Sequence, residues 1–182
     1  MHVYNRLSKM GLSIEEYRPE WEHYFEQFNR AWIERYFEIE PIDEYTFKLW
    51  SYEDAILLKD HILNTFRRAA AERVILRPGG QLLFAVLDQK VIGTVSIKKI
   101  TEDTMELSKM AVDEKYLGQG AGKLLCHKAV ERIRDLGAKK AQLYTHSSLK
   151  PAIYIYKKLG FTEVLIEPGK YKRVDVKMEK NF

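Results

Sequence analysis

Cysteine is nearly absent from this sequence. Cys126 is the only one among 182 residues, so no disulfide can form within the chain and no cysteine-based zinc spacing exists. No metal site is expected. Runs of eighteen or more apolar residues are also missing, which argues against a helical membrane span. The opening residues M-H-V-Y-N-R-L-S-K-M lack the continuous apolar centre of a secretory leader. A cytoplasmic protein that does not engage membranes is the expectation. Charge of one sign is scarce too. Thirty Lys and Arg oppose 26 Asp and Glu, giving +4 and a pI near 9.0. The cations at Arg67, Arg68, Arg73, Lys139, Lys140, Lys170, Lys172, Arg173, Lys177 and Lys180 are dispersed among acids. With no basic arm and no RNP-like aromatic motif, they read as solvated surface with a modest bias toward anionic ligands, and nucleic acid is not an expected partner.

What remains is a chain with 46% hydrophobic residues, long enough to bury one substantial core and free of repeats and low-complexity linkers. A single domain over 1–182 is expected. A strand is read at Leu12 to Tyr17. A helix follows from about Glu20 to Phe37, where Trp21, Phe25, Phe28, Trp32 and Tyr36 recur at helical spacing as a core stripe. A long helical region covers about Glu44 to Arg73. Strands Leu82 to Leu87, Val91 to Ile97 and Met105 to Val112, separated by D-Q-K and T-E-D turns, read as an antiparallel meander. A helix from Gly120 to Leu136 stops at Gly137 and leads to a strand at Ala141 to Thr145. A further helix precedes strands near Phe161 to Ile166 and Tyr171 to Met178. Cys126, flanked by Leu124, Leu125, Ala129 and Val130, reads as a core thiol.

Glycine is where this economy breaks. Gly118, Gly120 and Gly122 alternate between the Met105 to Val112 strand and the following helix, a setting that lets backbone approach an anion at a helix N-terminus. The spacing does not match a Walker loop, because Leu124 stands where Ser or Thr would meet magnesium. It does not match G-x-G-x-x-G either. A tight strand-to-helix turn with no ligand is the plain alternative.

Downstream, Pro151 to Phe161 reads P-A-I-Y-I-Y-K-K-L-G-F, with proline suited to a first helical turn and Gly160 to a C-terminal cap. Together the two segments resemble the GNAT superfamily of acyl-CoA-dependent N-acyltransferases. Its R/Q-x-x-G-x-G/A loop aligns with Leu117 to Gly122, and its A-x-x-x-Y-x-x-x-G-F helix with Ala152 to Phe161. An A-x-x-x-x-x-x-I-G-T pattern within Phe84 to Thr94 and R-x-D-V-x-M-E at Arg173 to Glu179 extend the likeness over about residues 82 to 179. Two positions depart from it: Leu117 replaces the usual Arg or Gln, which predicts weaker cofactor binding, and Leu149 replaces a common Asn. The nearest polar alternatives to the latter are His146, Ser147 and Ser148.

The resemblance implies an α/β fold with a mixed, strongly twisted and splayed sheet flanked by helices, and acetyl transfer from acetyl-CoA to an amine by direct attack. The acceptor is a small molecule or a peptide or protein amine, and a homodimer is allowed for. Leu117, Gly118, Gln119, Gly120, Ala121, Gly122 and Lys123 would form the pyrophosphate cradle, although Lys123 reads equally as a solvated lysine. The resemblance also implies that the Met110 N–H polarises the carbonyl and that Val112 pairs with the pantetheine arm. Tyr156 would supply a proton to the thiolate and Glu106 would take one from the amine. Tyr154, two residues along the same helix, faces elsewhere. Tyr36, Glu40, Asp43 and His146 are the candidate acceptor contacts, alongside Trp32 and Phe37. A non-catalytic acyl-CoA sensor or interaction module is the alternative function, and a basic nucleic-acid-binding domain a distant third.

Overall fold

A computed structural model describes residues 11–39, 75–166 and 174–182. The long helical region, Glu40 and Asp43 lie outside the described residues. The chain enters with β1 (Leu12–Glu16), then a 3₁₀ turn (Pro19–Trp21) and α1 (Glu22–Tyr36). It continues with β2 (Gln81–Leu87), β3 (Lys90–Lys99), β4 (Thr104–Val112) and a second 3₁₀ turn (Glu114–Tyr116). It closes with α2 (Ala121–Asp135), β5 (Lys140–Thr145), α3 (Lys150–Lys158), β6 (Thr162–Val164) and β7 (Val176–Asn181).

The seven strands form one sheet in the order β1-β2-β3-β4-β5-β7-β6. The expected meander is present: β2 and β3 pair antiparallel, as do β3 and β4. Asp88 and Gln89, both at positive φ, close the β2–β3 hairpin between Leu87 and Lys90, the backbone that a two-residue turn between twisted strands requires. Only β4 and β5 run parallel, and their register extends just from Thr104↔Lys140 to Glu106↔Gln142. Beyond that point nothing pairs them, so the sheet splays.

Side chains alternate across the strands. One core, holding Leu83, Val95, Ile97, Met105, Leu107, Leu143 and Met178, lies under α2, whose buried residues include Leu125, Cys126, Ala129 and Ile133. The other, holding Phe84, Val86, Val91 and Ala111, lies under Phe25 and Phe28 of α1. The aromatic stripe of α1 is only partly core: Trp21 and Trp32 are half-buried, and Tyr36 is 44% exposed.

Both later helices stop by the same device. After α2, Gly137 at φ +80° lets its N–H reach Arg134 O, and the Ala138 N–H reaches Ile133 O. After α3, Gly160 at φ +87° donates to Lys157 O and Phe161 to Tyr156 O. This is the Schellman arrangement, in which the residue after the glycine packs on the residue five places earlier. Tyr156 and Phe161 are that pair, in edge contact with ring centroids 6.1 Å apart. The spacing Y-x-x-x-G-F is thus a helix stop that grips its own tyrosine.

The last strands depart from the sequence reading. Phe161 turns into the core and leaves β6 only three residues long. In the last strand, Val174 and Asp175 do not pair, because Asp175 is engaged by Ser147: the Ser147 N–H and Oγ donate to its two carboxylate oxygens at 2.7 and 2.6 Å. β7 starts at Val176 and runs on to Asn181. Among the described residues no helix is long and apolar enough to cross a membrane.

Candidate active site

The distal half of β4 carries a defect that aims its backbone. Thr94 pairs with Ala111 and Ser96 with Ser108, so β4 spends one residue more than β3 across this interval. Lys109 takes it up at φ +53°, left-handed and uncommon for a residue with a side chain. The bulge brings Met110 back onto the α2 side, where its sulfur lies 2.9 Å from the Cys126 thiol.

β4 then delivers the chain to the glycine loop. Asp113 Oδ1 caps the 3₁₀ turn by accepting from the Lys115 N–H, and Gln119 donates to Lys115 O. Gly118 and Gly120 both have positive φ, +75° and +90°. A Cβ on Gly118 would meet nothing within 4 Å, so this glycine serves the backbone angle and leaves open space. Gly120 is the N-cap of α2 and no side chain caps the helix. Its first N–H groups, from Ala121, Gly122 and Lys123, are those a helix start offers to an anion. Gly122 sits against Val112, its would-be Cβ 3.7 Å from a Val112 methyl, so the glycine loop and the end of β4 adjoin. The loop therefore fits a pyrophosphate on backbone grounds. Leu117 at its head is a solvent-facing leucine with no charge to add, and Lys123 is exposed.

On the α2–α3 side Tyr156 is buried with Cys126 beside it. Burial, and secondarily the neighbouring thiol, hold its phenol well above the ordinary value of 10.0. Burial alone pushes the Cys126 thiol up to about 12, which makes it an inert core thiol. Tyr154 is exposed, as its helical offset requires.

The opposite side of the sheet, facing α1, carries Glu106. Its neighbours Met105 and Leu107 belong to the α2-side core, so alternation points Glu106 the other way. It is buried and accepts a 3.2 Å hydrogen bond from Gln142 at the last registered pair of β4 and β5. Along the same face Ser96 and Ser108 hydroxyls meet at 2.9 Å. The fully buried Thr94 hydroxyl has no hydrogen-bond partner among the described residues. Glu106 and Tyr156 thus lie on opposite faces of the sheet.

His146 ends up at the rim, in edge contact with Phe37 just past α1. Its Nδ1 meets the Ser148 hydroxyl at 2.8 Å and the Ser148 N–H at 3.2 Å, and its Nε2 lies 3.8 Å from Asp175. The Asp175 carboxyl is held below its ordinary range, first by the Ser147 hydroxyl. Tyr36 stands at the exposed end of α1, and Leu149 is the N-cap of α3.

The sequence reading missed Gln142 and Lys177. Alternation in A-Q-L-Y-T could have put Gln142 and Tyr144 on one face, but only the pairing of β5 with β4 and β7 brings Glu106, Gln142 and Glu179 into one row. Lys177, read as solvated surface, is only 9% exposed. Among the described residues no group of three or more His, Cys, Asp or Glu is placed to hold a metal.

The matches to known proteins follow this architecture. The family model described as "Acetyltransferase (GNAT) family" matches residues 14–161. The mycothiol acetyltransferase of Corynebacterium glutamicum strain R is 29% identical over 98 residues, 54% of this chain and 34% of that protein; the chain thus spans about a third of that relative's length. Two solved structures share the fold. An acetyltransferase of GNAT family from Staphylococcus aureus Mu50 has a TM-score of 0.70 at 21% identity, covering 93% of this chain and 98% of that one. The PaiA N-acetyltransferase of Thermoplasma acidophilum, in complex with coenzyme A, has 0.65 at 22%, covering 95% and 100%. The sheet, the glycine loop and the extent of the family match agree, and the chain belongs to the GNAT acetyltransferase family.

Proposed function

We propose that the protein transfers an acetyl group from acetyl-CoA to a primary amine by direct attack. The observation that carries this reading is that Glu106 lies at the last registered pair before β4 leaves β5, on the face of the sheet opposite the buried Tyr156. Direct transfer needs one group that takes a proton from the incoming amine and another that supports the departing sulfur. Groups on opposite faces let the amine enter from one side and the thiol leave on the other.

Acetyl-CoA supplies the acetyl group as a thioester. The backbone N–H groups from Gly118 to Lys123 hold its pyrophosphate, an interaction that does not depend on side-chain identity and so tolerates Leu117. Val112, at the end of β4 beside the cradle, presents its main chain to the pantetheine arm. The Met110 N–H, set by the Lys109 bulge, is the donor to the carbonyl oxygen; one such preorganised donor contributes about 2.7–4 kcal/mol where it has been removed elsewhere. Glu106, fixed by Gln142, accepts the amine proton directly or through water. Tyr156 stays protonated because burial holds its pKa high, so it donates a hydrogen bond to the sulfur as charge develops there.

The test is calorimetric titration with CoA, followed by thiol release from acetyl-CoA across a broad amine panel. Binding with thiol release in step with amine acetylation is the expected result. Binding without turnover on any amine would favour an acyl-CoA sensor, and no binding would remove the reading.

A further inference from the structure

A lysine at φ +53° is strained, so the strand on either side of Lys109 must hold it there. On the far side the hold is main chain. The Asp113 N–H donates to Ile92 O at 2.8 Å, and Ala111 pairs with Thr94. Main-chain groups alternate between the two edges of a strand, so Asp113 and Ala111 turn theirs toward β3. Met110 and Val112 turn theirs the other way, toward the gap beside β5.

On the near side the hold includes a side chain. Ser96 lies between Val95 and Ile97, both in the α2-side core, so its hydroxyl faces α1. It is 1% exposed, and it donates to the main-chain carbonyl of Ser108 at 3.2 Å while meeting the Ser108 hydroxyl at 2.9 Å. Both bonds form at once when the Ser108 hydroxyl donates to Ser96 Oγ and Ser96 gives its own proton to Ser108 O. Ser108 O belongs to the planar peptide unit that ends in the Lys109 N–H. Fixing that oxygen fixes the plane from which Lys109 turns left-handed, and Met110 is the next residue.

We propose that Ser96 is a positioning residue: its bond to Ser108 O sets the bulge, and the bulge aims the Met110 N–H at the thioester carbonyl. The inference rests on the acyl-transfer reading for the role of Met110. The plain alternative is a cross-strand serine pair that contributes stability alone. The two differ in which serine matters, because the clamp uses the side chain of Ser96 but only the main chain of Ser108, whereas a cross-strand pair uses both side chains alike. The test is infrared spectroscopy of acetyl-CoA, isotope-labelled at its carbonyl carbon and bound to the parent, to Ser96→Ala and to Ser108→Ala. No acceptor is needed. The carbonyl stretch should lie at lower frequency in the parent than in Ser96→Ala, where the donor is misaimed, and Ser108→Ala should match the parent. Calorimetric CoA affinity should stay within about twofold in both variants, since the backbone cradle is untouched. Equal frequencies in the parent and Ser96→Ala overturn the inference, as does a shift in Ser108→Ala as large as that in Ser96→Ala. Loss of CoA binding in Ser96→Ala assigns the residue to the fold and overturns it too. Thiol release separates the two claims. With an amine substrate, kcat should fall about tenfold or more in Ser96→Ala. A frequency shift confined to Ser96→Ala, with no turnover of any amine, upholds the inference and defeats acetyl transfer; turnover with equal frequencies does the reverse.

Discussion

Replacing Tyr156 by Phe removes one oxygen from a side chain whose ring is held independently of that oxygen. The ring meets Phe161, and the Tyr156 carbonyl closes the helix stop by accepting from the Phe161 N–H at 3.1 Å. Neither contact involves the hydroxyl, so unfolding stability should change by about 1 kcal/mol or less. Turnover should respond differently. A hydrogen bond to a group developing charge contributes about 1.5–3 kcal/mol, so the chemical step should slow roughly ten- to 150-fold. The size follows from the environment: burial holds this phenol well above 10.0, whereas a thiol ionises near 8.5. Complete proton transfer to the sulfur would run uphill, and the hydroxyl acts mainly by sharing its proton. The same shift fixes the pH behaviour. The group keeps its proton throughout the range below about pH 10, so parent and variant rates should run parallel from pH 7 to 9.5. The assay is single-turnover thiol release with saturating amine. Parent speed in the Phe variant would refute the role, and so would an alkaline rate loss below pH 10 that disappears with the hydroxyl.

Glu106→Gln keeps the shape of the Gln142 contact and removes the basicity; kcat should fall about 10² to 10⁴-fold with CoA affinity nearly unchanged by calorimetry, and equal rates at every pH would assign Glu106 to structure alone. Gly160→Ala imposes a side chain at φ +87° and should cost about 1–2 kcal/mol, lowering the thermal midpoint by about 2 to 8 °C; its new Cβ meets only the mobile end of Lys180, at 2.9 Å, so an unchanged midpoint would contradict the left-handed stop. Cys126 has a folded pKa raised from 9.0 to about 12, so its contribution is complete below about pH 9 and is lost as pH climbs toward 12, by up to about 4 kcal/mol. Denaturant titrations should show that decline in the parent and a shallower one in Cys126→Ala. Leu117→Arg adds a cation at the head of the cradle and should tighten CoA binding two- to fivefold, about 0.5–1 kcal/mol at an exposed site, whereas weaker binding would mean the loop is shaped otherwise.

How far the sequence could be read follows from which constraints are local. The glycine loop and Tyr156 were legible because each depends on nearby backbone: Gly118 and Gly120 need positive φ, and the tyrosine, glycine and phenylalanine of α3 occupy fixed places in one helix stop. The end of α2 was legible for the same reason. The burial of Lys177 was not. Lys177 looks like any strand lysine until β7 is placed between β5 and β6, and no local signal reports that order. The bulge at Lys109 was equally hidden, since a lysine in a left-handed conformation is imposed by cross-strand register and not by its own propensity. Asp175 illustrates the competition: alternation favours a strand there, and two hydrogen bonds from Ser147 take the residue out of it.

The three-residue parallel seam between β4 and β5 has a further consequence for how the molecule is assembled. β1 to β4 form one antiparallel group, and β5 to β7 form a second. The β2–β3 and β3–β4 hairpins can gain order locally, whereas the seam must wait for the chain to cross through α2. The two groups can therefore part along the seam without either unfolding. Amide exchange around Glu106 and Gln142 should report partial openings of lower free energy than global unfolding, so a thinly knitted line in the sheet is also the line along which the proposed chemistry is arranged.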